Sequence, residues 1–160
     1  MATEKFGAKG EWWVIAQIIL IFAAFAVDII FRDSLSSAGA LRLILSVLAV
    51  VCVIAGGALL ASGVFRLGSN LTAVPRPLDN GNLVQSGAYA VVRHPIYSGI
   101  IIGMFGVAFF FSNWIGLLLA AAILLFFDQK SRREEVWLVE KYPEYPAYRA
   151  RVHKLIPFVY

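Results

Sequence analysis

The sequence predicts an all-α integral membrane protein with about four transmembrane helices, a cytoplasmic loop and a C-terminal helical segment. Hydrophobic residues make up 60% of the 160 positions and charged residues only 15%, against about 25% charged residues in ordinary soluble domains. The mean hydropathy is +0.77. The length fits a single domain over residues 1–160, and no charge-rich stretch of about 100 residues remains for a separate soluble domain. Any activity must therefore be built into the membrane body.

Two apolar stretches in the first half of the chain predict the first two spans. The hydrocarbon core of a bilayer is about 30 Å thick and needs about 20 apolar residues per helix. Residues 12–31 and residues 43–65 supply such stretches. The first is longer than the core of a signal peptide, so we expect it to remain in the protein as a span. The second carries small residues that let a neighbouring helix approach closely: Gly56, Gly57, Ala61, Ser62 and Gly63.

A third apolar stretch, residues 95–127, carries no charge and is too long for one helix perpendicular to the membrane. We expect a break at Ser112 and Asn113. Phe111 and Trp114 flank this pair, as aromatic residues flank helix ends at the lipid headgroups. The predicted spans are then residues 95–111 and residues 114–127, which form a tight hairpin. One long, tilted helix is the alternative.

Positive charge predicts the orientation of these spans, because Lys and Arg are retained on the cytoplasmic side. With four spans, all of the 14 Lys and Arg residues except Arg32 and Arg42 lie on one side of the membrane. We therefore expect both termini, the loop of residues 66–94 and the C-terminal segment of residues 128–160 to be cytoplasmic, at the inner membrane if the source is bacterial. The net charge of +4 fits a surface beside anionic lipid headgroups and requires no nucleic-acid partner.

The two cytoplasmic segments should differ in structure. Residues 66–94 are rich in Gly, Pro and Asn, which favours an ordered loop. The fourth span is expected to continue as a helix from residue 114 to residue 141, where Tyr142 and Pro143 should end it. A short amphipathic helix follows, and four residues share its apolar face: Tyr145, Tyr148, Val152 and Leu155.

Candidate functional residues gather at the cytoplasmic mouth of the third span: Tyr89, Arg93, His94, Pro95 and Tyr97. Pro95 suits the first turn of a helix, where its missing N–H costs nothing. Taken singly, Arg93 and His94 are typical of a positively charged membrane-edge anchor, and Tyr97 is typical of an aromatic belt. Their combination in one short stretch favours the lip of a pocket.

A second cluster follows the apolar end of the fourth span and comprises Arg132, Arg133, Glu134 and Glu135. Because Lys130 precedes Glu134 by four positions, the cluster is also typical of a salt-bridged, solvated helix surface. The hairpin of the third and fourth spans favours a different arrangement, since it returns the two glutamates toward Arg93 and His94. Opposite charges would then meet at one cytoplasmic site.

Three other residues are expected to have structural roles or none. Asp28 lies near the non-cytoplasmic end of the first span, where we expect it to cap a helix or to pair locally, with Arg32 as a candidate partner. The single cysteine, Cys52, excludes an intramolecular disulfide and is expected to be a buried, inert thiol. His153 has no second ligand at a metal-binding spacing, so we expect no metal site.

Several stretches of the chain, taken in order, resemble the isoprenylcysteine carboxyl methyltransferase family and its relatives among the membrane phospholipid N-methyltransferases. They are residues 67–72, 83–89 and 93–99, the pair Glu134 and Glu135, and residues 144–152. The resemblance implies an S-adenosylmethionine-dependent methyltransferase whose cofactor site is formed by helix ends and the C-terminal segment. It implies no Rossmann domain, and the sequence contains no glycine-rich strand-to-helix fingerprint.

The resemblance also implies roles for individual residues. A basic side chain can hold the methionine carboxylate, a glutamate can accept hydrogen bonds from the ribose hydroxyls, and a tyrosine ring can pack on adenine or face the sulfonium. The implied cofactor site comprises Tyr89, Arg93, His94, Pro95, Tyr97, Glu134 and Glu135, and the implied acceptor site comprises Tyr148 and Arg151. No catalytic residue is assigned, because a carboxylate acceptor needs no base whereas an amine acceptor must first lose a proton.

The function implied by the resemblance is methyl transfer from cytosolic S-adenosylmethionine to a lipophilic acceptor that arrives from the surrounding membrane lipids. Carboxyl methylation of the isoprenylcysteine type is the first hypothesis, with phospholipid amine N-methylation or small-thiol S-methylation as the alternative. The alternatives that are not enzymes are a small four-span transporter and a structural membrane adaptor. A transporter usually places an ionisable residue near mid-bilayer, and the central spans contain none.

Overall fold

The computed structural model describes residues 7–160, and within them every regular element is helical. Lys5, which the charge count assigns to the cytoplasmic side, lies outside the described residues. Two short 3₁₀ turns, Gly68–Asn70 and Gly87–Ala90, flank an irregular loop, as expected for an ordered loop at this place. The five α-helices are α1 (Glu11–Ile30), α2 (Gly39–Leu67), α3 (Pro95–Phe110), α4 (Trp114–Lys141) and α5 (Tyr145–Arg151).

The helices have the length and surface of membrane spans. Among residues 7–160, α1, α2 and α4 are long and apolar enough to cross a membrane. Helix α3 is also apolar but has 16 residues, which is about 24 Å at 1.5 Å per residue. Large apolar side chains face outward, with Phe22 72% and Ile54 67% exposed, as lipid-facing side chains do. The predicted class, an all-α integral membrane protein, is confirmed.

Glycines bring α2 and α3 into close contact. A Cβ atom on Gly56 would lie 2.7 Å from the carbonyl oxygen of Gly99, and one on Gly63 would lie 2.8 Å from Ile96 Cγ1. Helix α3 therefore packs backbone to backbone on α2, as small residues permit in membranes. The sequence also predicts a close helix contact at Gly57, but a Cβ atom on Gly57 would meet nothing within 4 Å. Cys52 on α2 is half-buried rather than buried.

The break between α3 and α4 lies where the sequence predicts it, and one long helix is excluded. Ser112 adopts a left-handed conformation with φ of 49°. Asn113 then caps α4, because its Oδ1 accepts a hydrogen bond of 3.0 Å from the N–H of Ile115. The Asn113 amide also donates to Asp28 Oδ1 at 3.1 Å. Asp28 on α1 thus pairs with Asn113, in the turn between α3 and α4, and not with Arg32.

Helix α4 runs over residues 114–141, as the sequence predicts, and α5 packs against its far end. The predicted amphipathic helix is confirmed in part. Tyr145 and Tyr148 are buried on α5, but the helix ends at Arg151. Val152 and Leu155 therefore lie in the tail that follows, where Leu155 is buried and Val152 is half-buried.

The tail after α5 is tied to α3 and α4 by buried polar contacts. Asp128 on α4 accepts hydrogen bonds from Lys154 Nζ at 2.5 Å and from Tyr160 Oη at 2.9 Å. Ser98 Oγ on α3 donates to the carbonyl of Leu155 at 2.5 Å. These contacts bring the tail beside the beginning of α3, where the candidate site lies.

Candidate active site

The backbone of the tail positions Arg93 and His94. Their N–H groups donate to the carbonyls of His153, at 2.8 Å, and Lys154, at 3.2 Å. Val92 and His153 form a parallel bridge in the same pairing. His153 thus helps to position Arg93 through its backbone carbonyl. Within the described part of the chain, no group of His, Cys, Asp and Glu side chains is arranged to hold a metal ion.

The carboxylate of Glu135 on α4 contacts both Arg93 and His94. Arg93 Nε lies 2.9 Å and His94 Nε2 3.0 Å from the same oxygen, Glu135 Oε1. All three side chains are almost completely buried. Arg149 Nε lies 3.5 Å from the other carboxylate oxygen. A buried carboxylate with three cationic or polar partners forms a fixed arrangement, since burial of an ion is favourable only when it is paired and hydrogen-bonded.

Glu134, the neighbouring glutamate, lies beside both His94 and Tyr97. Tyr97 Oη donates to Glu134 Oε2 at 2.6 Å, and His94 Nδ1 lies 3.9 Å from the same oxygen. The rings of His94 and Tyr97 stack with centroids 5.4 Å apart, and Tyr97 stacks in turn on Phe127 at 4.7 Å. The Glu134 side chain is 24% exposed, so its carboxylate keeps capacity to accept further hydrogen bonds.

Two tyrosines on different segments meet at the same place. Tyr148 Oη on α5 donates to the carbonyl of Tyr89 at 2.6 Å. Burial raises the pKa of both Tyr89 and Tyr148, and the charge of Glu134 raises that of Tyr89 further. Both hydroxyl groups therefore stay protonated at neutral pH and act as neutral hydrogen-bonding groups.

A cavity of about 480 Å³ opens between α2, α4, α5 and the loop before α3. Its volume falls within the range of about 300–1,000 Å³ typical of small-molecule sites. Apolar side chains, among them Val64, Leu71, Ile96 and Leu138, make up much of the wall. Six of the residues named from the sequence line it: Tyr89, Arg93, His94, Tyr97, Glu134 and Tyr148.

The other three residues named from the sequence lie outside this cavity. Pro95 begins α3 and packs against α2, where a Cβ on Gly63 would lie 3.2 Å from its Cγ. Glu135 lies behind Arg93 and His94, on a groove at the other side of α4. Arg151 lines that groove too, and its guanidinium bonds to the carbonyl of Ala147 and the side chain of Gln85. The two residues expected at the acceptor site are therefore in different places: Tyr148 lines the cavity and Arg151 lines the groove.

Sequence reasoning missed several residues of the cavity wall, notably Gln17, Lys130, Tyr142 and Tyr145. The spacing of Lys130 and Glu134 is typical of a solvated helix surface, which was the alternative for this cluster, but Lys130 is 1% exposed. Tyr145 was assigned only to an apolar helix face. The available signal was the polar residue Gln17 in an apolar span, since an intramembrane polar residue often marks a site.

Comparisons with known proteins identify the family. The sequence model described as phospholipid methyltransferase matches residues 44–145, which contain α3, the loop before it, almost all of α2 and all of α4. The chain belongs to this phospholipid methyltransferase family. The family match includes Tyr89, Arg93, His94, Tyr97 and the two glutamates, and it ends at the beginning of α5.

Curated relatives of this phospholipid methyltransferase family member are named protein-S-isoprenylcysteine O-methyltransferase. The one from Homo sapiens is 34% identical over 119 residues, which cover 72% of this chain and 42% of the relative. The one from Schizosaccharomyces pombe is 37% identical over 93 residues, which cover 57% of this chain and 39% of the relative. The chain thus matches about two fifths of the length of these relatives, and the resemblance seen in the sequence is confirmed.

A solved structure of a family relative has the same fold. It is that of the eukaryotic intramembrane Ras methyltransferase, isoprenylcysteine carboxyl methyltransferase. The TM-score is 0.69 at 23% sequence identity, and the match covers 91% of this chain and 52% of the other. Nearly all of the fold described above is therefore shared with a membrane methyltransferase.

Proposed function

We propose that this chain is an integral membrane, S-adenosylmethionine-dependent methyltransferase that acts on a lipophilic acceptor by carboxyl methylation of the isoprenylcysteine type. One observation carries the proposal: Glu134 and Glu135 on α4 meet Arg93, His94 and Tyr97 beside a single cavity. The family membership and the names of the curated relatives support it. We propose that residues 1–160 act as one domain.

The residues around the cavity fit S-adenosylmethionine. Glu134 offers a partly exposed carboxylate to the ribose hydroxyls. Tyr89 and Tyr97 offer rings for adenine or the sulfonium, and Arg93 offers a cation to the methionine carboxylate. Glu135 and Pro95 contribute from behind the cavity wall, the first through Arg93 and His94 and the second by fixing the start of α3. When bound, S-adenosylmethionine supplies a methyl group on a positively charged sulfur.

The chain's own residues contribute alignment and exclusion of water. Glu135 holds Arg93 and His94 in one orientation, and the stack of His94, Tyr97 and Phe127 places ring surface beside them. Positioning of two reactants in a dry site accounts for several kcal/mol of a reaction barrier. A carboxylate acceptor is already a nucleophile, so we assign no residue as a general base.

The wall of the cavity favours a lipophilic acceptor. Leu71, Leu83, Val84 and Ile96 contribute apolar surface next to the polar cluster, and α1, α2 and α4 border the surrounding lipid. We propose that the acceptor enters sideways from the membrane and that the donor enters from the cytoplasm. In this orientation both chain ends and the site lie on the cytoplasmic side, as the distribution of Lys and Arg favours. Phospholipid amines are the second candidate acceptor class, because the matching family model is described as phospholipid methyltransferase.

Binding of S-adenosylhomocysteine to the purified protein in detergent tests the donor assignment. Alanine at His94 or Glu135 is expected to weaken binding at least about tenfold, since charge-assisted hydrogen bonds are lost. Glu140→Ala removes an exposed carboxylate of the same helix and should leave binding unchanged. Labelled S-adenosylmethionine with an isoprenylated cysteine, phosphatidylethanolamine and a small thiol then separates the acceptor classes. Absence of S-adenosylhomocysteine binding by the wild type would contradict the proposal.

A further inference from the structure

The groove on the other side of α4 is a second concave surface of the molecule. Its volume is about 900 Å³, and it is bounded by α4, the end of α5 and the tail that follows α5. We call it the α4–α5 groove. The proposed function uses only the buried ion pair of Arg93 and Glu135 at its base. The rest of the groove therefore has no role in methyl transfer as described above.

Positive charge exceeds negative charge in the α4–α5 groove. Two carboxylates from the described residues line it, those of Glu135 and Glu140. Five cationic side chains line it as well: Arg93, Arg132, Arg149, Arg151 and Lys154. The first and last of these are buried and have a carboxylate partner. The other three are exposed arginines, which we call the rim arginines.

The carboxylates near the rim arginines do not neutralise them. Arg132 Nε lies 2.8 Å from Asp128 Oδ2, and Arg149 Nε lies 3.5 Å from Glu135 Oε2. Each of these carboxylates also pairs with a buried cation. The guanidinium of Arg151 bonds to two neutral oxygens. Because a guanidinium has five N–H donors in a fork that matches phosphate, the rim arginines are suited to bind a phosphate group.

Exposed apolar side chains lie beside these charges. The N–H groups of Leu155 and Ile156 both donate to the carbonyl of Tyr160 at 2.7 Å, which closes the tail into a small loop. Phe158 and Val159 lie in this loop and are 81% and 74% exposed, and Val159 lines the groove. Large apolar side chains next to surface cations are typical of a segment that rests on a membrane.

The tail loop and the rim arginines lie at the level of the membrane surface. Tyr160 Oη donates to Asp128 Oδ1 at 2.9 Å, and Asp128 directly follows the charge-free stretch of residues 95–127. The loop is therefore fixed where α4 leaves the hydrocarbon. Arg132 is four positions further along α4, which is about 6 Å, and Arg149 contacts α4 less than one turn beyond it. The headgroup layer on each side of a bilayer is about 5–8 Å thick.

We infer that the α4–α5 groove binds the headgroup of an anionic phospholipid. The rim arginines contact its phosphate, and Phe158 and Val159 rest against the upper part of its acyl chains. A surplus of positive charge favours an anionic headgroup over a zwitterionic one, whose own cation it would repel. The inference goes beyond the proposed function, because the groove and the cavity lie on opposite sides of α4 and this lipid is not the methyl acceptor.

Native mass spectrometry in detergent, with equal amounts of phosphatidylglycerol and phosphatidylcholine, tests the lipid preference. The wild type should bind phosphatidylglycerol preferentially, and Arg151→Gln should lower this preference about fivefold, the effect of one cation near an anionic surface. Arg151→Lys keeps the charge and should retain most of the preference. Arg133→Gln, which removes an exposed cation of α4 outside the groove, should retain all of it.

Three results of this experiment would overturn the inference. The first is equal binding of the two lipids by the wild type. The second is an equal loss of preference in Arg133→Gln and Arg151→Gln, which would show an effect of net charge alone. The third is loss of the preference in excess inorganic phosphate but not in sodium chloride of the same ionic strength, because the groove would then bind a soluble anion.

Spin labels test the level of the tail loop. Cys52→Ser removes the single cysteine of the chain, so that Phe158→Cys or Glu140→Cys can carry one nitroxide in vesicles of the same two lipids. The label at position 158 should be accessible to oxygen, which dissolves in lipid, and protected from a water-soluble nickel complex. Glu140 is exposed and twelve positions after Asp128, about 18 Å along α4, so its label should behave in the opposite way. Equal access of nickel to both labels would overturn the inference.

Discussion

Arg93 and Glu135 form a buried ion pair in which Nε and Oε1 are 2.9 Å apart, although 42 positions separate them in the sequence. Their side chains are only 9% and 5% exposed. The same guanidinium donates to the carbonyls of Arg149 and Val152. One side chain thus connects the segment just before α3, the C-terminal part of α4, helix α5 and the start of the tail. A change at this pair should affect both folding and the candidate donor site.

Glu135→Gln is expected to destabilise the protein and weaken donor binding. The substitution keeps the shape of the side chain but leaves the Arg93 guanidinium buried without a countercharge. Loss of one partner of a buried ion pair costs about 3–5 kcal/mol of folding free energy. Thermal unfolding in detergent and calorimetry with S-adenosylhomocysteine measure the two effects. Glu140→Gln, at an exposed glutamate of α4, is the control, and equal melting temperatures for both variants would refute this expectation.

Tyr97→Phe is expected to lower donor affinity and to cost some stability. The phenyl ring can keep the stacking on His94 and Phe127, but the hydrogen bond of 2.6 Å to Glu134 is lost. A bond to a charged group contributes about 1.5–3 kcal/mol, so the Kd for S-adenosylhomocysteine should rise about tenfold to a hundredfold. Tyr160→Phe removes a similar bond to Asp128 outside the cavity and should leave that Kd unchanged. A similar rise in both variants would show that the effect is not specific to the site.

The main elements of the fold could be predicted because their signals are local. Charge-free stretches give the helices, and the pair Ser112 and Asn113 gives the break, since Asn can both end a helix and cap the next one. The hairpin then dictates that α4 returns beside the beginning of α3. For this reason the approach of Glu135 to Arg93 follows from sequence order and helix length alone.

The wall of the cavity could not be predicted, because its contacts join distant parts of the chain. Lys130 precedes Glu134 by four positions, a spacing typical of a surface pair. It is buried because α1 and the loop cover it, through Gln17, 113 positions away, and Ala73, 57 positions away. Arg151 differs in the opposite direction, because the sequence assigns it to the acceptor site and the structure places it outside the cavity. The orientation of α5 is fixed by tail contacts, such as the pair Lys154 and Asp128, that no local pattern encodes.

Asp128→Asn is expected to loosen the tail and, through it, the candidate site. Lys154 is 6% exposed and would lose its carboxylate partner, now 2.5 Å away. The cost should again be about 3–5 kcal/mol, as for other buried ion pairs. Because the carbonyls of His153 and Lys154 hold Arg93 and His94, donor affinity should fall as well.

Thermal unfolding, limited proteolysis of the tail and calorimetry with S-adenosylhomocysteine measure the effects of Asp128→Asn. Arg132→Ala is the control. The Arg132 side chain is 60% exposed, and an exposed ion pair contributes less than about 1 kcal/mol. A tail that resists proteolysis equally in the wild type and in Asp128→Asn would contradict the role assigned to the ion pair.

Gly56→Ala and Gly57→Ala should have opposite outcomes although the two residues are adjacent on α2. A Cβ on Gly56 would lie 2.7 Å from the carbonyl oxygen of Gly99 and 2.8 Å from the backbone nitrogen of Gly103, whereas a Cβ on Gly57 meets nothing within 4 Å. The backbone of α3 cannot move away without opening the whole contact with α2, so Gly56→Ala should destabilise the protein by about 1–3 kcal/mol or more. Gly57→Ala should be neutral or stabilising, since Ala favours a helix by about 1 kcal/mol over Gly. Melting temperatures in one detergent compare the two, and a loss of stability at Gly57 equal to that at Gly56 would mean that helix packing is not the cause.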